Sequence, residues 1–187
     1  MSKQAFTRNI WELRSGIEAC LAIGARMPTL VLLYSAIDVI AWLSNDDPAA
    51  GVGKRFMAWV DQYLLKAKPL ECTSADIYGA RCGLVHKLGA DSDMSDRGKA
   101  RLISYAWGNR SAGKLQALTV RAGLDHRYVC VKIEDLVEAW QLGVDLLVQE
   151  MDSDSNREDR ILARAAKFFD EESTDTLDRI IERAQVD

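Results

Sequence analysis

The stretch from Met27 to Leu43, MPTLVLLYSAIDVIAWL, constrains this chain more than any other. Its apolar residues fall on nearly every side of a helix, so a helix here has no face to give to water and must be surrounded. Tyr34, Ser35 and Asp38 interrupt the run. A membrane span asks for about 20 largely uninterrupted apolar residues, so the stretch reads as a buried helix over 28–44 at the centre of a bundle. The chain has 187 residues, room for one sizeable core and too few for two full domains. With only 3 prolines, long helices go unbroken.

Other helices are expected around it. Phe6, Ile10, Leu13, Ile17, Cys20 and Leu21 recur at three- and four-residue steps over 4–23, and Gly24 offers a stop. SNDDPAAGVG reads as a loop. Residues 54–65 place Phe56, Trp59, Val60 and Tyr63 on one side, and Pro69 ends that region. Thr73 and Asp76 resemble a capping box, with aspartate where glutamate is usual, and open a helix that Gly89 can close after Leu88. Further on, Leu136, Trp140, Val144 and Leu147 share a face, and DSDSN reads as a linker. Two amphipathic helices are expected over 157–169 and 174–184. Between these helical regions, 101–107, 115–121 and 127–133 alternate at period two with glycine-containing turns between them. The expected fold is therefore mainly α: a helical bundle over 1–150 with an antiparallel β-meander inserted at about 101–133, then an acidic helical extension over 151–187. That extension carries 11 acids against 6 basic residues.

The opening MSKQAFTRNIWEL lacks the continuous apolar core of a signal peptide, so the expected location is the cytoplasm, with no membrane partner. Cys20, Cys72, Cys82 and Cys130 show no CxxC spacing and read as reduced thiols. Charge is distributed unevenly. The chain's formal net charge is −4, yet residues 97–132 hold eight cationic residues against the single acid Asp125. Tyr105, Trp107, His126 and Tyr128 lie among these cations. A basic ribbon with aromatics suits the backbone and unstacked bases of RNA, with Arg101, Tyr105, Trp107, Arg121 and Arg127 as the candidate contacts. Cations protecting an exposed sheet edge read equally well.

The segment DIYGARCGLVHKL, residues 76–88, sets Arg81 and His86 in otherwise apolar surroundings. Histidine accepts and returns a proton near neutral pH. Arginine stays charged and grips a phosphate through two parallel hydrogen bonds. Together they could cleave RNA without a metal, the histidine moving the proton and the arginine stabilising the charged intermediate state. A structural ion pair is the commoner use of such an arginine. Asp38, costly to bury unless paired, is its natural partner. Cys82 and His86 have a spacing that could hold zinc, but no third ligand stands out, so neither a metal nor another cofactor is expected. GVGK at 51–54 lacks the P-loop pattern.

The RCGLVH segment, late in a helical bundle, resembles the R-x4-6-H motif of the HEPN superfamily. The resemblance covers roughly residues 4–150 in architecture and a few residues in motif. It implies an all-α core, a homodimer and, in many members, a metal-independent endoribonuclease acting as a toxin or antiviral effector, with Arg81 and His86 catalytic. Active members often carry a polar Asn, Asp or His directly after the arginine, where this chain has Cys82; some members are inactive binding or scaffold domains. Two readings follow. One is a HEPN-like ribonuclease, with an antitoxin as a further partner. The other is an inactive HEPN-like homodimeric module binding RNA or protein. On a straight helix, positions 81 and 86 lie about 140° apart and about 7.5 Å apart along the axis. One phosphate held by both therefore requires either a distortion near Gly83 or a cleft shared by two copies of the helix.

Overall fold

In the computed structural model, the described residues are 2–47, 49–167 and 181, with His86 and Lys87 described by their backbone alone. The apolar stretch forms helix α2 (Arg26–Ser44) and packs against helices from both halves of the chain. These are α1 (Lys3–Ala22), α3 (Val52–Trp59), α5 (Ser74–Lys87), α8 (Ile133–Ser153) and α9 (Ser155–Ala165). Leu33, Ile37, Ile40 and Leu43 of α2 are fully buried and meet Leu136, Trp140, Val144 and Leu147 of α8 in one core. Among the described residues, α2 is the one helix long and apolar enough to cross a bilayer, and 56% of that window is buried inside the fold. A core helix of a bundle has this character.

Helix α3 runs into a π-helical turn (Val60–Leu64) and a closing turn, α4 (Leu65–Ala67). The wider turn lies against α8 at Gly143, where a Cβ would sit 3.1 Å from the Leu64 backbone and force it to shift by a few tenths of an ångström. It also directs Tyr63 to a junction, where its hydroxyl donates to Glu150 of α8 at 2.6 Å and accepts from Arg157 of α9 at 2.6 Å. The expected face of Phe56, Trp59, Val60 and Tyr63 is buried throughout.

Residues 101–133 depart from the sequence reading. They form two strands, β1 (Leu102–Ala106) and β2 (Tyr128–Lys132), paired in parallel with Leu102 opposite Tyr128 and Ala106 opposite Lys132. The middle segment, expected as a strand over 115–121, is helix α7 (Ala112–Arg121). The antiparallel meander is therefore not formed. Parallel strands need a crossover of a dozen or more residues, and α7 supplies it. Its alternation is outweighed by a run of helix formers, KLQAL, at Lys114–Leu118. The Ser111 hydroxyl caps its start by accepting from the Lys114 N–H, and Gly123 (φ +69°) lies just past its end. The Gln116 side chain accepts from the Cys130 N–H at 2.9 Å, so the crossover helix also satisfies a donor of β2.

The expected boundary at 150/151 falls inside α8, and α9 docks on the bundle. Arg157, Arg160 and Arg164 of α9 all reach Asp46, just past the end of α2. The Arg164 guanidinium also donates to the Leu43 and Asn45 carbonyls, closing the C-terminus of α2. The helix expected over 174–184 lies outside the described residues, apart from Ile181.

Candidate functional site

Helix α5 begins with the expected capping box. The Thr73 hydroxyl accepts from the Asp76 N–H at 3.2 Å, and the Asp76 carboxylate accepts from the Thr73 N–H at 2.9 Å. The same carboxylate accepts from the Arg101 backbone N–H at 2.6 Å and from its guanidinium at 2.8 and 3.2 Å. Aspartate rather than glutamate serves here because one carboxylate caps α5 and anchors the entry to β1. Burial alone would raise the Asp76 pKa. The Arg101 guanidinium, with the Thr73 and Arg101 N–H groups, outweighs that and holds it below the usual value.

One face of α5 points into the core through Ile77, Ala80 and Leu84. A neighbouring stripe, beginning about 40° round the helix from Ile77, runs through Tyr78, Arg81, Cys82 and Val85, all half-buried or exposed, with the Tyr78 ring 5.4 Å from that of Phe56 on α3. Leu88 continues it with 66% exposure. Asp38 of α2 reaches this stripe. The Arg81 Nε and Nη2 meet Asp38 Oδ2 at 2.6 and 2.5 Å, with the two side chains 14% and 23% exposed. Burial would lower the arginine's pKa, and the Asp38 contacts more than offset it, so the guanidinium stays charged. The pairing expected between Asp38 and Arg81 is present.

His86 falls in the last turn of α5, and its side chain lies outside what is described. The helix is α-helical from Ser74 to Lys87, so no distortion near Gly83 brings positions 81 and 86 together. Gly83 has another role. The chain leaves α5 through Leu88 in the left-handed region (φ 50°) and doubles back, with the Gly89 N–H on the Gly83 carbonyl at 3.2 Å. A Cβ at Gly83 would stand 2.7 Å from the Asp91 carbonyl oxygen and 2.8 Å from that of Gly89. Gly83→Ala, which helix propensity alone favours by about 1 kcal/mol, should instead lower stability by about 1–3 kcal/mol through overpacking against backbone. Denaturant unfolding measures the sign directly.

Arg81 and position 86 bracket the outer stripe. Counting about 100° per residue from Arg81, Val85 lies at about 40°, Tyr78 at about 60°, Cys82 at about 100° and position 86 at about 140°. A body laid along the stripe would have Arg81 on one flank and position 86 on the other.

The basic ribbon is largely dismantled by the fold. Arg101, Tyr105 and Trp107 share one side of β1 as alternation requires, but that side faces inward, with Ile103 buried between them. Arg101 is held by Asp76 and by the Glu71 carbonyl. The Tyr105 hydroxyl meets that of the fully buried Tyr34 at 2.5 Å, and burial raises both phenol pKa values. Arg121 is exposed, at the end of a helix rather than on a strand. Arg127 is exposed, with its guanidinium 5.7 Å from the Tyr128 ring. With His126 and Lys99 it lines an open cleft of about 550 Å³ that also carries Asp91 and Asp96, so the charge there is mixed. Trp107 is half-buried, and the guanidinium carbons of Arg26 and Arg110 lie 4.1 and 4.7 Å from its ring centre. Arg26 carried no sequence signal because its contact spans 81 positions. The expected aromatic platform is thus covered by guanidinium groups.

All four cysteines are free thiols. Among the described residues, no three His, Cys, Asp or Glu side chains converge as a metal site would require. No family model, characterised protein or solved structure matches the chain.

Proposed function

We propose that this chain is a HEPN-like homodimer that acts on RNA, as a metal-independent endoribonuclease of the toxin or antiviral-defence type, with Arg81 and His86 as its catalytic residues. The observation that carries this reading is the arrangement on α5. A charged arginine is fixed by Asp38 at one flank of a partly exposed stripe, and position 86 stands at the other flank. A twofold interface presents the same patch from both chains. Two copies of α5 laid stripe to stripe about a twofold axis running along them would place Arg81 of each on the same flank as position 86 of the other, about 7.5 Å further along the axis, which a single straight helix does not do. Exposed Val85 and Leu88 supply apolar surface for that contact. In such a cleft the arginine stabilises charge on the phosphate, and the histidine moves the proton to or from the attacking 2′-hydroxyl or the leaving oxygen.

A second reading, an inactive HEPN-like module that binds RNA or protein, is favoured by the same arginine's burial. At 14% exposure, with two nitrogens on Asp38, Arg81 also fits a purely structural role. Incubating the folded protein with varied single-stranded RNAs in EDTA separates the two. The ribonuclease reading expects cleavage without added metal and a dimer by sedimentation at micromolar concentration. A strict monomer that cuts no RNA would remove it.

A further inference from the structure

We infer that Arg26, Trp107 and Arg110 form a clamp for the phosphate backbone of single-stranded RNA, separate from the Arg81 centre. The clamp is assembled from two distant parts of the chain. Arg26 opens α2, Trp107 directly follows β1, and Arg110 closes the turn between them and α7. That turn is firmly set: the Arg110 N–H donates to the Trp107 carbonyl at 3.1 Å, Gly108 takes φ +58°, and Glu134 accepts from the Gly108 N–H at 2.5 Å. The two guanidinium carbons lie 4.1 and 4.7 Å from one indole centre, so they are no more than 8.8 Å apart.

Both arginines are exposed, and neither has a carboxylate within ion-pair distance among the described residues. Most other arginines in the bundle are paired: Arg14, Arg81, Arg101, Arg157, Arg160 and Arg164 all hold acids. Two like charges within 8.8 Å of each other repel, and a phosphate in reach of both relieves that repulsion. Helix electrostatics do not explain Arg26 either, since a cation in the first turn opposes the helix dipole. What the arrangement offers is two planar cations on a half-buried ring. Their edges can fork onto phosphate oxygens, and their outer planes can stack on bases. An acidic peptide would use the charge but not the planes, so RNA is the ligand that uses both features. Asp38 lies 12 residues along α2 from Arg26, about 18 Å of helix axis, so clamp and Arg81 centre are distinct places on the surface.

This inference rests on the RNA reading above. The test measures binding of a short fluorescein-labelled 2′-O-methyl oligouridylate, which has no free 2′-hydroxyl to attack, by anisotropy over a salt series. Cleavage of unmodified RNA is followed separately. Arg26→Gln with Arg110→Gln should weaken binding at least tenfold and flatten the log–log salt slope by about 1.4, for two phosphate contacts on a single strand. Arg26→Lys with Arg110→Lys should keep the salt slope but lose affinity, because the planar groups are gone. Unchanged affinity in the double glutamine protein, with cleavage intact, overturns the clamp alone. Wild-type affinity in the double lysine protein overturns it in favour of plain surface charge, and equal binding of polyglutamate overturns it in favour of an acidic peptide. Wild-type protein that neither binds nor cleaves RNA removes the functional reading and the clamp together.

Discussion

Asp76→Asn should cost about 3 kcal/mol, the low end of the loss from breaking a buried ion pair. The low end applies because Arg101 is 31% exposed and water screens its charge, whereas the Asp76 side chain is only 3% exposed. For a chain of this length that corresponds to a fall in Tm of about 6–12 °C. The loss is large because one carboxylate accepts from the start of α5 and the entry to β1 together. The pH dependence has a definite sign. The folded-state pKa of Asp76 is depressed, so its contribution is present above the ordinary carboxylate value of about 4 and is lost as pH falls through and below it. Wild-type stability should therefore drop steeply on acidification below about pH 4, and the asparagine protein should drop less over the same range. Parallel stability–pH curves for the two proteins would show that Asp76 carries no such linkage.

His86→Ala should reduce metal-independent RNA cleavage by about 10²–10⁴-fold, the usual contribution of a positioned general acid or base, while sedimentation shows the same dimer as wild type. The separation of activity from assembly is the informative part. Val85 and Leu88 are the apolar members of the exposed stripe, and position 86 lies at its edge, so the histidine's proposed role is proton transfer rather than packing. A mixing experiment extends the test. Pairing His86→Ala chains with Arg81→Ala chains should restore one intact composite cleft per heterodimer and recover part of the activity. No recovery, with heterodimers demonstrably formed, would place both residues in a single chain's site, a geometry that the straight helix from Ser74 to Lys87 opposes.

What the sequence disclosed and what it hid divide along contact range. Local patterns were legible. The apolar run gave α2, three- and four-residue steps gave α1 and α8, and Thr73 with Asp76 gave the capping box. Asp38 with Arg81 was legible despite its 43-residue separation, because a carboxylate in the most apolar helix demands a cation and few were suitably placed. The ribbon misled because alternation reports which residues share a side of a strand and not which side faces the core. Nothing near Arg101 or Tyr105 announces Asp76 or Tyr34, 25 and 71 residues away. Segment 115–121 misled for a different reason: Leu115, Ala117 and Thr119 alternate, but their neighbours favour helix. The signals that decide it, Ser111 and Gly123, stand outside the segment. The π-helical turn at Val60–Leu64 packs against Gly143, some eighty residues away, a contact that no local pattern announces.

The three arginines of α9 that gather on Asp46 also divide the C-terminal region by charge. Within α9 they outnumber Glu158 and Asp159, so the acidity of the region resides in residues 166–187, which hold seven acids against three basic residues. That stretch starts from a fixed mooring, because Ile161 and Ala165 are buried and Arg164 grips the end of α2. Three cations of α9 are thus committed to one carboxylate and to the carbonyls at the end of α2, so the docking of α9 and the closure of α2 stand or fall together.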